Sequence, residues 1–336
     1  MHPTPPEPHG RVSRVDRGIC DVLTPAGSTR ARWSAGVSAE ASHSPDAVPC
    51  VGDEVLLRLD GDQTWLDSVL PRRNAVTRAS VEPGSSKQQV LAANVDVLAI
   101  CEPCHPAPAA GRIERLLALA WECSAQPAVL LTKADLDPDV DRTAADVRTL
   151  ALGAIVLPVS VASSVGVDVV GALTSSGQAL ALLGTSGAGK STLLNALLGY
   201  NAMEVSHVRD DGKGRHTTAH RELHVLDDGS YVIDTPGLRS IGLASTDGLD
   251  QVFAEIGELA ESCRFTDCEH RTEPGCTVLA AIESGALPPR RLDSYRKLLR
   301  EAAYQERRGD ARLAAAERAR WKALNKQMRQ PGRNRP

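Results

Sequence analysis

Four short stretches carry residue types that bind phosphate, hold a divalent cation or read a base. The first is GTSGAGKS, residues 184–191, which fits G-x-x-x-x-G-K-[ST] in full between the apolar segment QALALLG and the helix-like segment TLLNALLG. In such a loop Gly184, Thr185, Ser186, Gly187, Ala188 and Gly189 turn backbone amides inward around a phosphate, and Thr192 continues the binding segment into the helix. Lys190 offers a point charge to the β and γ phosphates, and the Ser191 hydroxyl is a magnesium ligand. The second is YVIDTPG, where Asp234 at the end of an apolar strand can hold magnesium and the Gly237 amide can sense a γ-phosphate. Between them lies SHVRDDGKGRHTTAH, either a switch segment or an ordinary surface loop. Its Thr217 or Thr218 would bind magnesium and the γ-phosphate, and the sequence does not choose between them.

The third is AVLLTKAD, residues 128–135. Asp135 can accept from the N1–H and exocyclic amine of guanine, a donor pair that adenine lacks, while Lys133 packs along the ring beside Thr132. Ser160 and Val161, ending the next apolar segment, are placed for a second base-contacting loop. These loops precede the phosphate loop by about 50 residues, the reverse of the usual GTPase order. Ligand loops of a doubly wound sheet all gather at the carboxyl ends of its strands, so the site tolerates a change in where the chain is cut. The order reads as a circular permutation. Leu238 follows DTPG where Ras-like enzymes place a water-orienting glutamine, which predicts slow intrinsic hydrolysis and leaves His216 as a tentative water-positioning residue.

The fourth stretch is CRFTDCEHRTEPGC. Cys263, Cys268, His270 and Cys276 offer three thiolates and one imidazole, a closed tetrahedral zinc shell that implies structure and not catalysis. CEPCH, residues 101–105, matches a haem-attachment pattern but directly follows a buried strand and reads as a strand-to-helix turn. Cys20, Cys50 and Cys123 are isolated and read as structural.

The elements that must position these residues are legible from their periodicity. Residues 10–72 hold five short alternating segments broken by turns, a small β-barrel for which an oligonucleotide-binding type and a generic β-domain both stand. Residues 1–9 read as a loose leader and 73–89, rich in breakers, as a linker. Strand and helix patterns alternate over 90–245, a doubly wound α/β domain. Residues 246–300 read as helices around the cysteine knot, and 301–336 as a basic helix and tail. Net charge is −4, so attraction to a polyanion must be local; residues 311–336 carry eight Lys or Arg against Glu317 alone. Trp321, Arg72 and Arg73 are further candidates for such a contact. No apolar run has a membrane helix's length and the N-terminus lacks a secretory pattern, so the chain is expected to be a cytoplasmic monomer without membrane contact.

The permuted order, the GTSGAGKS, GRHTT and DTPGL segments, the preceding barrel and the following cysteine knot resemble the ribosome small-subunit-dependent GTPase A family over roughly residues 10–300. The resemblance implies an oligonucleotide-binding-type barrel, a permuted P-loop GTPase domain and a mostly α zinc domain with the four ligands above. It also implies GTP hydrolysis to GDP and phosphate with Mg2+, late assembly of the small (30S) ribosomal subunit, rRNA binding and stimulation by that subunit. The alternative is a GTP-controlled binding module acting on another RNA or protein.

Overall fold

The computed structural model describes residues 9–79, 88–202, 221–235, 243 and 246–309. Five strands, β1 His9–Asp16, β2 Ile19–Thr24, β3 Gly27–Trp33, β4 Glu54–Asp60 and β5 Gln63–Val69, close into a barrel in the order β1-β2-β3-β5-β4. Alternation turns Cys20 and Val22, then Val55 and Leu57, into a core shared with Val12, Ala31 and Leu66. Helix α1, Ala35–His43, enters between β3 and β4, where Ser34 Oγ accepts from the Val37 amide at 3.2 Å as its N-cap. It escapes the periodicity reading because Val37 is its single buried residue. Five strands closed in this order, with a helix between the third and fourth, form a barrel of the oligonucleotide-binding type.

Both ends of the segment read as a linker are strand. Strands β6, Ala75–Ala79, and β7, Gln88–Ala93, pair antiparallel, so the boundary drawn at residue 89 cuts through a hairpin. The breaker-rich run at 82–86 falls between the two strands and masked the short alternation on either side. Arg72 is committed inside the protein: it donates to both oxygens of the fully buried Asp53 at 2.6 and 2.8 Å and to the Asp46 and Val48 carbonyls, and is not free for the polyanion contact read from sequence. Arg73 pairs with Asp96 at 2.8 Å and stays exposed at the surface.

Strands β8 Val97–Pro103, β9 Gln126–Thr132, β10 Ile155–Val159, β11 Ala179–Gly184, β12 Glu222–Val225 and β13 Tyr231–Asp234 form the second sheet, ordered β10-β9-β8-β11-β13-β12. All pair parallel except β12, which is antiparallel to β13. β8 and β11 are apolar runs because both faces of the sheet are covered. Helices α2 Ala110–Glu122, α3 Val140–Leu150, α4 Val167–Gly171 and α5 Lys190–Leu198 alternate with the strands; Ile113, Leu116, Leu117 and Ala120 give α2 its buried stripe. Parallel strands bring the loops after β9, β10, β11 and β13 to one edge, which is where the sequence candidates lie.

Helices α6 Leu249–Val252, α7 Ala254–Ala260, α8 Thr277–Glu283 and α9 Pro289–Gly309 complete the chain's described part. A buried ionic cluster fastens α9 to α2. Glu114, with no exposure, accepts from Arg290 at 3.0 Å, from Arg291 at 2.7 Å and from the Ser294 hydroxyl. Arg291 also donates to Glu255 at 2.7 Å and the Val252 carbonyl at 2.6 Å and stacks 4.4 Å over the Phe253 ring. At the other end, Arg11 of β1 donates to the Gly177 carbonyl at 2.9 Å and lies 4.6 Å over the Tyr231 ring, tying the barrel to the sheet.

Candidate functional site

The loop after β11 is shaped by its glycines. A Cβ on Gly184, whose φ is +153°, would stand 2.4 Å from the Cys101 carbonyl oxygen of the neighbouring strand, so only glycine lets the chain leave the sheet there. Gly189, φ +89°, starts α5 in a left-handed turn under Thr132. Thr185, Ser186, Gly187 and Ala188 form the turn between them; Ser191 and Thr192 follow Lys190 in the first turn of α5. The Lys190 ammonium donates to the Gly184 carbonyl at 2.9 Å and the Thr185 carbonyl at 3.0 Å, closing the loop on itself. Burial holds its pKa below the ordinary lysine value, opposed by the Cys101 thiol and the Asp234 carboxylate.

Asp234 ends β13 beside β11, 2% exposed. Burial raises its pKa above the ordinary carboxylate range against the pull of Lys190, and its Oδ1 has no hydrogen-bond partner. A buried carboxylate oxygen left unpaired on the strand beside the phosphate loop suits the water shell of a magnesium ion. Thr235 fixes the strand end by donating to the Leu182 carbonyl at 2.6 Å, a contact across strands that no local motif announces.

The base loop meets the phosphate loop directly. Thr132 Oγ1 donates to the Ala188 carbonyl at 2.7 Å, and the Cys104 amide donates to the Thr132 carbonyl at 2.8 Å. Lys133, φ 55°, then turns left-handed into the short 3-10 turn that carries Asp135. Ser160, 1% exposed, donates to Asp135 Oδ1 at 2.5 Å and accepts from the Ser163 amide at 3.2 Å, with Val161 beside it. Asp135 is thus held from the second loop while keeping its other oxygen for a ligand. His216, Thr217, Thr218 and Gly237 lie outside the described residues.

CEPCH, read as a turn, is mostly strand: Cys101, Glu102 and Pro103 end β8, the chain turns from Cys104, and the two cysteines belong to different cores. Burial pushes their thiols up to about 12 and about 11, so neither is a nucleophile near neutrality. Cys20, Cys50 and Cys123 are buried too.

The four knot residues converge. The ligand atoms of Cys263, Cys268, His270 and Cys276 all lie within 4.8 Å of one another. Cys263 Sγ stands 3.6 Å from His270 Nδ1 and 3.9 Å from Cys276 Sγ, and His270 Nδ1 stands 3.4 Å from Cys276 Sγ. Tetrahedral zinc, with bonds near 2.3 Å to sulfur and 2.0–2.1 Å to nitrogen, sets ligand pairs about 3.8 Å (S···S) and about 3.5 Å (S···N) apart. The donor set and spacing fit zinc. Cys276 Sγ also caps α8 by accepting from the Leu279 amide at 3.4 Å. The buried pair Glu114 and Arg291 was not legible in the sequence because the two are distant in the chain.

A family model described as RsgA GTPase matches residues 69–244. The small ribosomal subunit biogenesis GTPase RsgA of Streptomyces coelicolor is 53% identical over 318 residues, covering 93% of this chain and 85% of that protein. Its namesake from Methanosarcina acetivorans is 37% identical, covering 94% and 85%. Among solved structures, YjeQ from Thermotoga maritima superposes with a TM-score of 0.65 at 25% identity, covering 88% of this chain and 99% of that one. YloQ, described as a circularly permuted GTPase, gives 0.62 at 24% identity and bears on the fold alone. With the family match spanning more than half its length, this chain belongs to the RsgA GTPase family.

Proposed function

We propose that this GTPase works on the small ribosomal subunit as an assembly factor, binding rRNA and hydrolysing GTP to GDP and phosphate when the subunit is bound. The observation that carries the reading is the junction of the two loops, Thr132 Oγ1 on the Ala188 carbonyl, which fixes guanine recognition relative to the phosphate loop. The identity to biogenesis GTPases over most of the chain supports the partner.

In this reading the loop amides from Gly184 to Gly189 bind the phosphates, Lys190 leaves its loop carbonyls to meet the β and γ oxygens, and Asp135 reads the base with Thr132, Lys133, Ser160 and Val161 around it. Ser191 and Asp234 would hold Mg2+, which neutralises charge developing on the phosphates. Leu238 supplies no group to orient water, so the nucleophile waits for a switch residue, His216 or one of Thr217 and Thr218, or for the bound partner. The four knot residues would hold one structural Zn2+. The protein is read as a cytoplasmic monomer without membrane contact; no helix among the described residues is long and apolar enough to span a bilayer.

Competition by unlabelled GDP and ADP for bound fluorescent GDP, with and without small subunits, tests the reading. Displacement by GDP only, together with co-sedimentation on small subunits in the GTP-analogue state, is expected. Equal displacement by ADP, or equal binding to large subunits, would refute it.

A further inference from the structure

His270 differs from the other three knot residues in its backbone. Its φ of 58° is left-handed, a conformation that a residue with a Cβ holds only when its surroundings impose it. The imposing group comes from α9. Arg296 Nη2 donates to the His270 carbonyl and, at 3.3 Å, to the Glu269 carbonyl, a fork gripping the peptide on either side of the residue whose Nδ1 points at Cys263 and Cys276. The grip crosses a cleft of about 810 Å³ between the knot and α9. On the same helix, five residues earlier and so about 140° around its axis, Arg291 enters the buried cluster with Glu114 of α2. One helix therefore holds a knot ligand's backbone on one side and the nucleotide domain on the other.

We propose that Arg296 is a positioning residue of the metal knot, holding His270 in its ligating conformation and linking metal occupancy to the seating of α9 on α2. The inference rests on the zinc reading above. An unbraced His270 relaxes to a right-handed or extended backbone, which swings Nδ1 away from the three sulfurs. Outer-shell groups of this kind typically change metal affinity by about 10–100-fold.

The test uses the full-length protein. Zinc affinity is measured by competition with a chromogenic chelator for the wild type, Arg296→Ala, Arg296→Lys and Arg300→Ala, and the cobalt-loaded forms are compared by ligand-field absorption. Arg296→Ala is expected to lose about 10–100-fold in affinity with a shifted cobalt spectrum. Arg296→Lys is expected to recover only part of it, because an ammonium can donate to both carbonyls as Nη2 does but sits on a stem one atom shorter. Arg300→Ala, which removes the same charge one turn along, is expected to match the wild type, and GDP affinity to stay constant throughout. Hydrogen exchange on the wild type is expected to quicken at residues 290–301 when zinc is chelated. Wild-type affinity in Arg296→Ala, or an equal loss in Arg300→Ala, would overturn the brace; unchanged exchange on chelation would overturn the linkage. Should the alanine variant aggregate, Arg296→Met, which keeps the apolar stem and removes every donor, decides: wild-type affinity there overturns the proposal. A wild type that binds no zinc would remove the metal reading itself, a result distinct from any of these.

Discussion

Asp234 and Lys190 are opposite charges that burial disfavours in both cases, one pushed up and the other down. For Asp234 the folded chain holds its proton more tightly than the unfolded chain does, so deprotonation costs stability. That cost is complete above the raised value and disappears as pH falls to the ordinary 3.8. Asp234→Asn without nucleotide is therefore expected to be more stable than the wild type by about 1–2 kcal/mol at pH 7–8, the gain shrinking toward about pH 4, in denaturant titrations. The same variant is expected to lose magnesium-dependent hydrolysis. A gain that does not depend on pH would contradict the account of Asp234. At the base loop, Asp135→Asn replaces an acceptor by a donor. GTP affinity is expected to fall by about 10²–10⁴-fold while xanthosine triphosphate, which accepts where guanine donates, binds better, by fluorescence titration. These residues were legible because their chemistry is packed into runs of four to eight. Ser160 was legible as part of a base-contacting loop, whereas the bond from its hydroxyl to Asp135 needs coordinates.

At the scale of elements, the strands that carry the site were readable as uniform apolar runs, and α2 as an amphipathic stripe. What escaped was low in periodic signal: α1 with its single buried residue, and the β6–β7 hairpin hidden by its own turn residues. The α2–α9 clamp was invisible for a different reason. Glu114 and Arg291 are 177 residues apart, and a lone glutamate inside an apolar helix reads as a solvated position until its partner is seen. The knot, whose four ligands span only residues 263–276, was readable in full as a spacing. Its helices are short, and a metal bound by the four ligands would supply much of their stability. Cys268→Ser, or chelation of the wild type, is expected to remove a separate thermal transition and expose the 261–276 backbone to protease while GDP affinity changes less than about twofold. Loss of nucleotide binding on chelation would contradict a purely structural metal.

For the whole molecule, the order of loops along the chain fixes how its parts communicate. The strand carrying Asp234 runs toward α6, so the nucleotide site is covalently next to the knot domain. The barrel reaches the same sheet from the other side. Arg11 is 6% exposed, and removing it strips the Gly177 carbonyl and the Tyr231 ring of their partner together. Arg11→Ala is expected to cost about 2–4 kcal/mol and to let the barrel melt before the nucleotide domain in calorimetry. The half-buried Arg14–Glu222 pair, 3.0 Å apart and partly screened by solvent, should contribute less by comparison. As proposed above, the chain would act as a unit, a guanine-reading site without the Ras-type glutamine after DTPG that waits for its partner. The direct test is GTP hydrolysis by the purified protein alone and with small subunits, large subunits or free RNA, with Lys190→Ala as control. The account predicts a slow basal rate, strong stimulation by small subunits only, and no activity in the control. Equal rates in every mixture would contradict it.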